Sequence, residues 1–362
     1  MVMRISVISF TLKGAELSKQ IAELADTCET ALFTKCKGYG KDFGGGSNEK
    51  TKIIPVEGSL GNWTREQMRE KKALLFIGAC GIAVRAIAPY VTDKLQDSPV
   101  LVMDEQGTYV IPILSGHVGG ANALAFFLAD RIGAVPVITT ATDLNHKFAV
   151  DLFAKRNALW ITDKSGIAKI SAKVLREENL TMAIEPGHMA EGQELPSCLK
   201  LIAYPPKEQV DILITAEETS CLSLLLLRPK EYVIGMGCKK GKEPEKIKSL
   251  IERTGKELDI SLSQIFALAS VMQKSKEAGF LEWSRQNQIP FFTYSPEELG
   301  QVPGEFQESE FVKQTVGVAN VCERAALAAC GAGGRLILQK HSEDGMTIAV
   351  AKREWSVTFD EI

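Results

Sequence analysis

Short apolar runs alternate with helix-spaced segments through the first third of this chain, and that alternation restricts the fold more than any other feature. Arg4 to Ser9, Thr30 to Thr34, Ala73 to Ile77, Pro99 to Met103, Thr108 to Leu114 and Val135 to Thr139 read as strands. Ala15 to Leu24, Thr64 to Lys71, Ile82 to Ala88 and Ala121 to Ile132 read as helices between them. Strands this short, separated by helices, predict an α/β sheet that is mostly parallel. Asp104-Glu105-Gln106-Gly107 reads as a hairpin turn, and the glycine-rich stretch Gly38 to Asn48 as a surface loop.

Beyond Ala141 the pattern becomes choppier. Phe153 to Ala158 and Ile167 to Glu178 look helical, and Thr181 to Ile184, Lys200 to Tyr204 and Asp211 to Ile214 look like strands, broken up by Gly187, Gly192, Pro196, Pro205 and Pro206. A second α/β pattern restarts at Tyr232 to Gly235 and closes in a hairpin, Arg335 to Lys340 with Thr347 to Lys352. At 362 residues the chain is too long for one ordinary core. The expected fold class is α/β in three domains: two α/β sheet domains, residues 1–145 and 230–362, flanking a smaller middle α+β domain, residues 146–229.

Composition excludes several function classes. A net charge of −3 with no long basic run speaks against a nucleic-acid partner. The apolar run Leu222 to Leu227 is far too short to span a membrane, and the first residues read as a strand, not a signal peptide. Eight cysteines without a C-x-x-C pair suggest no metal site and fit a cytoplasmic protein with reduced thiols.

The richest segment for chemistry is Ser115-Gly116-His117-Val118-Gly119-Gly120-Ala121-Asn122, at a strand-to-helix turn. In an α/β sheet such turns are expected at the carboxyl edge, where ligands bind. His117 can move a proton near neutral pH. Ser115 could orient it, Asn122 could donate to an oxyanion, and Gly116, Gly119 and Gly120 could bring backbone N–H groups close to a ligand. The plain alternative is a structural turn whose histidine caps the helix.

Three further places invite an anionic ligand. Gly78-Ala79-Cys80-Gly81 opens a helix with Arg85 one turn on, but it lacks a dinucleotide fingerprint and the lysine of a P-loop. Thr139-Thr140-Ala141-Thr142-Asp143 puts hydroxyls and a carboxylate at a strand end, where helix capping is the alternative. Gly235-Met236-Gly237-Cys238-Lys239-Lys240 reads as a strand passing into a glycine loop beside lysines, which would lower the pKa of the Cys238 thiol. His146, His188 and His341 sit in loop-like stretches and suggest surface roles. Lys276 and Glu323 lie on helix-patterned segments, where a charge is ordinarily a solvated face.

Taken in order, Gly81-Ile82-Ala83-Val84-Arg85-Ala86-Ile87-Ala88-Pro89, the Ser115–Asn122 segment and Thr139–Asp143 resemble the N-terminal part of the cobalamin biosynthesis protein G family. Gly235-Met236-Gly237-Cys238 and Thr315-Val316-Gly317-Val318-Ala319-Asn320-Val321-Cys322-Glu323-Arg324 resemble its C-terminal domain, apart from Thr315 sitting one position early. The resemblance implies a hydrolase of anaerobic cobalamin synthesis that opens the lactone of cobalt-precorrin-5A and releases acetaldehyde, giving cobalt-precorrin-5B. It implies a cobalt-corrinoid substrate that brings its own metal, so no further cofactor is expected. A homodimer and contact with neighbouring pathway methyltransferases are further expectations. On this resemblance His117, Ser115, Asn122 and Glu323 are the catalytic candidates. Gly78, Gly81, Arg85, Gly116, Gly119, Gly120, Thr140, Asp143, Gly235, Gly237, Cys238 and Lys239 are the substrate-binding candidates. The alternative is a non-catalytic corrinoid carrier, which would need the glycine turns and lysines but no residue that transfers protons.

Overall fold

The computed structural model describes residues 3–39, 51–93, 96–140, 147–307, 314 and 316–359. The chain separates into two compact units, Met1–Lys147 and Phe148–Ile362.

The first unit is one sheet of seven strands: β1 (Arg4–Ser9), β2 (Glu29–Thr34), β3 (Ile53–Pro55), β4 (Ala73–Ile77), β5 (Val100–Met103), β6 (Tyr109–Leu114) and β7 (Val135–Pro136), in the order β3-β2-β1-β4-β5-β6-β7. Its helices are α1 (Leu12–Leu24), α2 (Leu60–Arg69), α3 (Cys80–Ile87) and α4 (Ala121–Ile132). Strands β4 and β5 are apolar at every position because both faces are covered. Leu75 and Ile77 face a core shared with Ile21 of α1 and Leu124 and Leu128 of α4. Leu74 and Phe76 face the opposite core, with Trp63 of α2 and Ala83 and Ile87 of α3.

Strands β1 to β5 run parallel, but β6 pairs antiparallel with β5, Val100 lying opposite Leu114 and Met103 opposite Val110. The hairpin read at Asp104–Gly107 makes this reversal, with Asp104 accepting from the amides of Gln106 and Tyr109. Its consequence for the site corrects the expectation of a carboxyl-edge turn. The end of β6 lies at the amino edge of β1, β4 and β5.

The second unit holds two sheets. The first contains β8 (Leu159–Ile161), β9 (Leu180–Ile184), β10 (Leu199–Leu201), β11 (Val210–Ile214) and β12 (Ser223–Pro229), with helices α5 (Val150–Arg156) and α6 (Lys164–Leu175). Its order is β10-β9-β11-β12-β8, with only β8 antiparallel. Strand β12 takes up the apolar run after Leu222 and buries Leu225 and Leu227. The second sheet, ordered β15-β14-β13-β17-β16, contains β13 (Tyr232–Cys238), β14 (Ile265–Val271), β15 (Phe291–Tyr294), β16 (Arg335–Glu343) and β17 (Met346–Lys352). Helices α7 (Pro244–Glu257) and α8 (Ala278–Asn287) cover one face through Leu250 and Phe280. Helix α10 (Cys322–Cys330), which follows α9 (Pro296–Gln301), covers the other through Ala325 and Ala326.

The two sheets share one unit because the chain after β17 returns to the middle segment. Phe359 stacks on Phe153 at 5.2 Å, and Asn157 both donates to and accepts from the Thr358 backbone. His188, read as a surface loop residue, instead lies flat on Trp355, with Nδ1 2.8 Å from the Trp355 carbonyl. His341 lies in β16, not in a loop, and is exposed.

Asp211 ties the middle sheet together. Its carboxylate accepts from Lys173 Nζ at 2.8 Å and from the amide and hydroxyl of Thr181. Burial pushes this carboxyl up, but the hydrogen bonds from Lys173 and Thr181 outweigh burial and leave it below the ordinary Asp value. A depressed folded pKa stabilises the fold above the unfolded value of about 4, and that stability is lost as pH falls through the lower folded value. Urea midpoints taken across this window should therefore fall with pH in the wild type. The Asp211→Asn variant should be less stable at neutral pH and show a flatter acid limb.

Candidate functional site

The turn after β6 is built on its own hydrogen bonds. Ser115 sits in the left-handed region, φ 55°, and its Oγ donates to the Asp97 carbonyl at 2.9 Å, back toward the start of β5. That bond anchors the first residue of the loop. The Ser115 carbonyl accepts from Ala121 N and the Gly116 carbonyl from Asn122 N, folding the loop onto the first turn of α4. A Cβ on Gly119 would lie 2.3 Å from Ser115 Cβ, so the loop closes only with glycine there. Gly120 caps α4 at φ 90°.

Asn122 is 7% exposed, and its Nδ2 donates to Thr140 Oγ1 at 3.1 Å. Its Oδ1 lies 2.7 Å from where a Cβ on Gly116 would be. Asn122 thus clamps the loop to the segment after β7. His117 is half-buried at the apex, and its carbonyl accepts from Gly120 N. Asp143 and His146 lie outside the described residues.

Gly78 begins the turn after β4, its amide bonded to the Met103 carbonyl at the carboxyl edge of β5. Arg85 is exposed and donates to the Gly81 carbonyl at 3.1 Å, along its own helix. Because β6 is reversed, Gly78, Gly81 and Arg85 are at one edge of the sheet and Ser115 to Asn122 at the other. Some five residues of strand separate the two edges, about 17 Å. They are two places on this unit.

The second unit offers a larger enclosure. The carboxyl ends of the parallel pair β13 and β14, the starts of α8 and α10, and the tip of the β16–β17 hairpin surround a cavity of about 880 Å³. Val271, Ala278, Val316, Ala319, Val321 and Met346 supply apolar wall, and Lys239, Lys240, Lys274, Lys276 and Lys340 supply cations. Gly237, Cys238 and Lys239, three of the expected binding residues, line it.

Gly235 does not line it. Strand β13 runs on through Cys238, so Gly235 is strand and not loop. A Cβ there would lie 1.9 Å from the Cys322 carbonyl oxygen and 2.8 Å from Ala326 N. Gly235 is the seat of α10 on the sheet.

Two further expectations change. Burial pushes the Cys238 thiol up; Lys274 pulls it down and Glu277 pushes it up again, and the net lies above the ordinary thiol value. Burial likewise pushes Cys322, on the same wall, up to about 11. Neither thiol is primed as a nucleophile at neutral pH. Glu323, one of the catalytic candidates, is 1% exposed. Its carboxylate accepts from Lys340 N at 2.7 Å, from Gln307 N at 3.2 Å and from Asn320 Nδ2. Asn320 Oδ1 in turn accepts from Glu323 N at 3.0 Å. This reciprocal pair caps α10 and fixes the cavity wall. The spacing Asn320-Val321-Cys322-Glu323 carries the signal in the sequence, a polar cap followed three residues later by glutamate.

Comparison with known proteins now decides the family. Residues 62–143 match the family described as cobalamin synthesis G N-terminal, and residues 232–351 match cobalamin synthesis G C-terminus. The chain is 31% identical over 361 residues to the cobalt-precorrin-5A hydrolase of Priestia megaterium, covering 96% of this chain and 94% of that one. The chain belongs to the cobalamin synthesis G family. A family member from Salmonella typhimurium, also a cobalt-precorrin-5A hydrolase, is 31% identical over 359 residues, covering 96% of this chain and 97% of the relative. A solved structure described as a cobalamin biosynthesis protein G homolog from Sulfolobus solfataricus aligns over 97% of both chains at 22% identity and a TM-score of 0.40. In this cobalamin synthesis G protein the whole cavity lining falls inside the C-terminal family segment. The N-terminal family segment holds both the Arg85 turn and the His117 turn. Among the described residues no helix is long and apolar enough to cross a membrane.

Proposed function

We infer that this chain is a cobalt-precorrin-5A hydrolase. The observation that carries the reading is the 31% identity to hydrolases of that name along almost the entire chain, with both family segments present. The C-terminal cavity suits such a substrate physically. Apolar walls can stack against a macrocycle, and the lysines can meet its carboxylate arms.

The reaction needs water activated at the lactone carbonyl, then a proton delivered to the macrocycle. Attack by water breaks the acyl–oxygen bond and leaves a carboxylate and a free hydroxyl. Loss of the hydroxyl proton forms the aldehyde carbonyl as the carbon–carbon bond breaks. The bond's electron pair stays on the macrocycle carbon, which takes up a proton, and acetaldehyde departs. In this proposal His117 takes the proton from water and returns it to carbon, as an imidazole near neutral pH can do in both directions. Ser115 and Asn122 hold the loop that presents His117, and Glu323 holds the binding wall. Cobalt enters as part of the substrate. A cytoplasmic setting, a homodimer and contact with pathway methyltransferases belong to the same proposal; sedimentation against the 39.5 kDa chain mass tests the dimer.

The test of function is anaerobic incubation of the purified chain with cobalt-precorrin-5A, trapping acetaldehyde and weighing the macrocycle by mass spectrometry. Trapped acetaldehyde with the macrocycle converted to the mass of cobalt-precorrin-5B is the expected result. A macrocycle bound but unchanged would replace the hydrolase reading with that of a carrier.

A further inference from the structure

Two kinds of lysine surround the C-terminal cavity. Lys274 is neutralised by Glu277 at 2.9 Å, and Glu277 is fixed in turn by the Gly241 amide. Lys242 and Lys246, just outside, both pair with Asp344. Lys239, Lys240, Lys276 and Lys340 are different. They line the cavity, yet among the described residues none has a carboxylate within ion-pair distance.

These four come from three separate places in the chain: the end of β13, the segment before α8, and β16. Their convergence is made by the fold, in a chain whose net charge is −3. Gathering like charges around one opening is unfavourable until an anion arrives, and the field they create concentrates anions at the mouth. Glu323 sharpens the contrast. It grips the Lys340 amide from inside the protein and accepts only N–H groups, so it fixes the strand without pairing the Lys340 ammonium. The apolar wall opposite makes a ring-shaped ligand with charged arms a better fit than a small inorganic anion.

Resting on the hydrolase reading, we propose that Lys239, Lys240, Lys276 and Lys340 are specificity-determining residues that select tetrapyrroles by their free carboxylates and turn away those whose arms have been converted to amides. An amide arm offers no charge to a lysine, so an amidated ring would displace water from the cations without replacing it by an anion.

Three probes test the rule by titration: uroporphyrin III, with a carboxylate on every arm; coproporphyrin III, which keeps half of them; and dicyanocobinamide, a corrin with amide arms. Affinity should fall in that order, and the difference should shrink as salt is raised. The combined variant Lys240→Gln, Lys276→Gln, Lys340→Gln removes partly exposed charges and should fold. It should bind uroporphyrin III on the order of tenfold to a hundredfold more weakly and dicyanocobinamide unchanged. With cobalt-precorrin-5A it should raise KM and retain most of kcat. Equal affinity for the first two probes, or a variant that binds like the wild type, overturns the proposal even if acetaldehyde is released. Lysine-dependent binding of uroporphyrin III without acetaldehyde release leaves the selection rule intact and removes the hydrolase reading.

Discussion

Replacing His117 with alanine is expected to stop acetaldehyde release while leaving binding of the macrocycle nearly unchanged. General acid–base catalysis by one positioned group contributes about 10²- to 10⁴-fold, and here a single imidazole is assigned both proton transfers, so the loss should reach the upper part of that range. The turn itself should survive. The bonds that close it run through the backbone of His117 and Gly120, the Ser115 hydroxyl and the Asn122 amide, none of which the substitution removes. Affinity should persist because the cationic cavity lies in the other unit. Asn122→Ala is the informative contrast: it strips a buried clamp from Thr140 and should cost about 1–3 kcal/mol of stability. Single-turnover kinetics, uroporphyrin III binding and urea unfolding on the two variants separate the roles. Normal turnover by His117→Ala would end its assignment as the base.

Gly235→Ala should prevent the second unit from folding stably. One methyl group would have to occupy a position 1.9 Å from a main-chain oxygen and 2.8 Å from a main-chain nitrogen of α10. Neither neighbour is a flexible side chain, so relief requires the helix to leave the sheet, exposing the core around Val233, Ala325 and Ala326. A loss of about 3 kcal/mol or more is expected, at the severe end for overpacking. Gly241→Ala serves as the control. No atom lies within 4 Å of its added Cβ, so only its left-handed backbone, φ 71°, adds strain, about 1 kcal/mol. Soluble yield and urea midpoints measure both. A Gly235→Ala protein of normal stability but poor ligand affinity would return this glycine to the binding site.

Elements with strong local signals were legible. Ala73 to Ile77 is apolar throughout because both faces are buried. Ile53–Pro55 is not legible, because an edge strand of three residues has no period to read. The site was legible in part. Gly237, Cys238 and Lys239 do line a cavity, but the lysines that complete it lie at positions 276 and 340, and only tertiary packing brings them there. Glu323 misled because helical spacing says which face a residue shares and not whether that face is solvated. Gly235 misled because a glycine needed for close packing looks, in sequence, like one needed for a ligand.

The reversed strand β6 has a consequence for how this family's variation should be read. Arg85 and His117 belong to the same family segment, yet a hairpin a few residues long has sent them to opposite rims of one sheet. Substitutions at the two should combine additively, with no energetic coupling carried by a shared ligand on that unit. The stretch from Gly78 to Asn122 thus holds two turns that follow one another in the chain and stand apart in space.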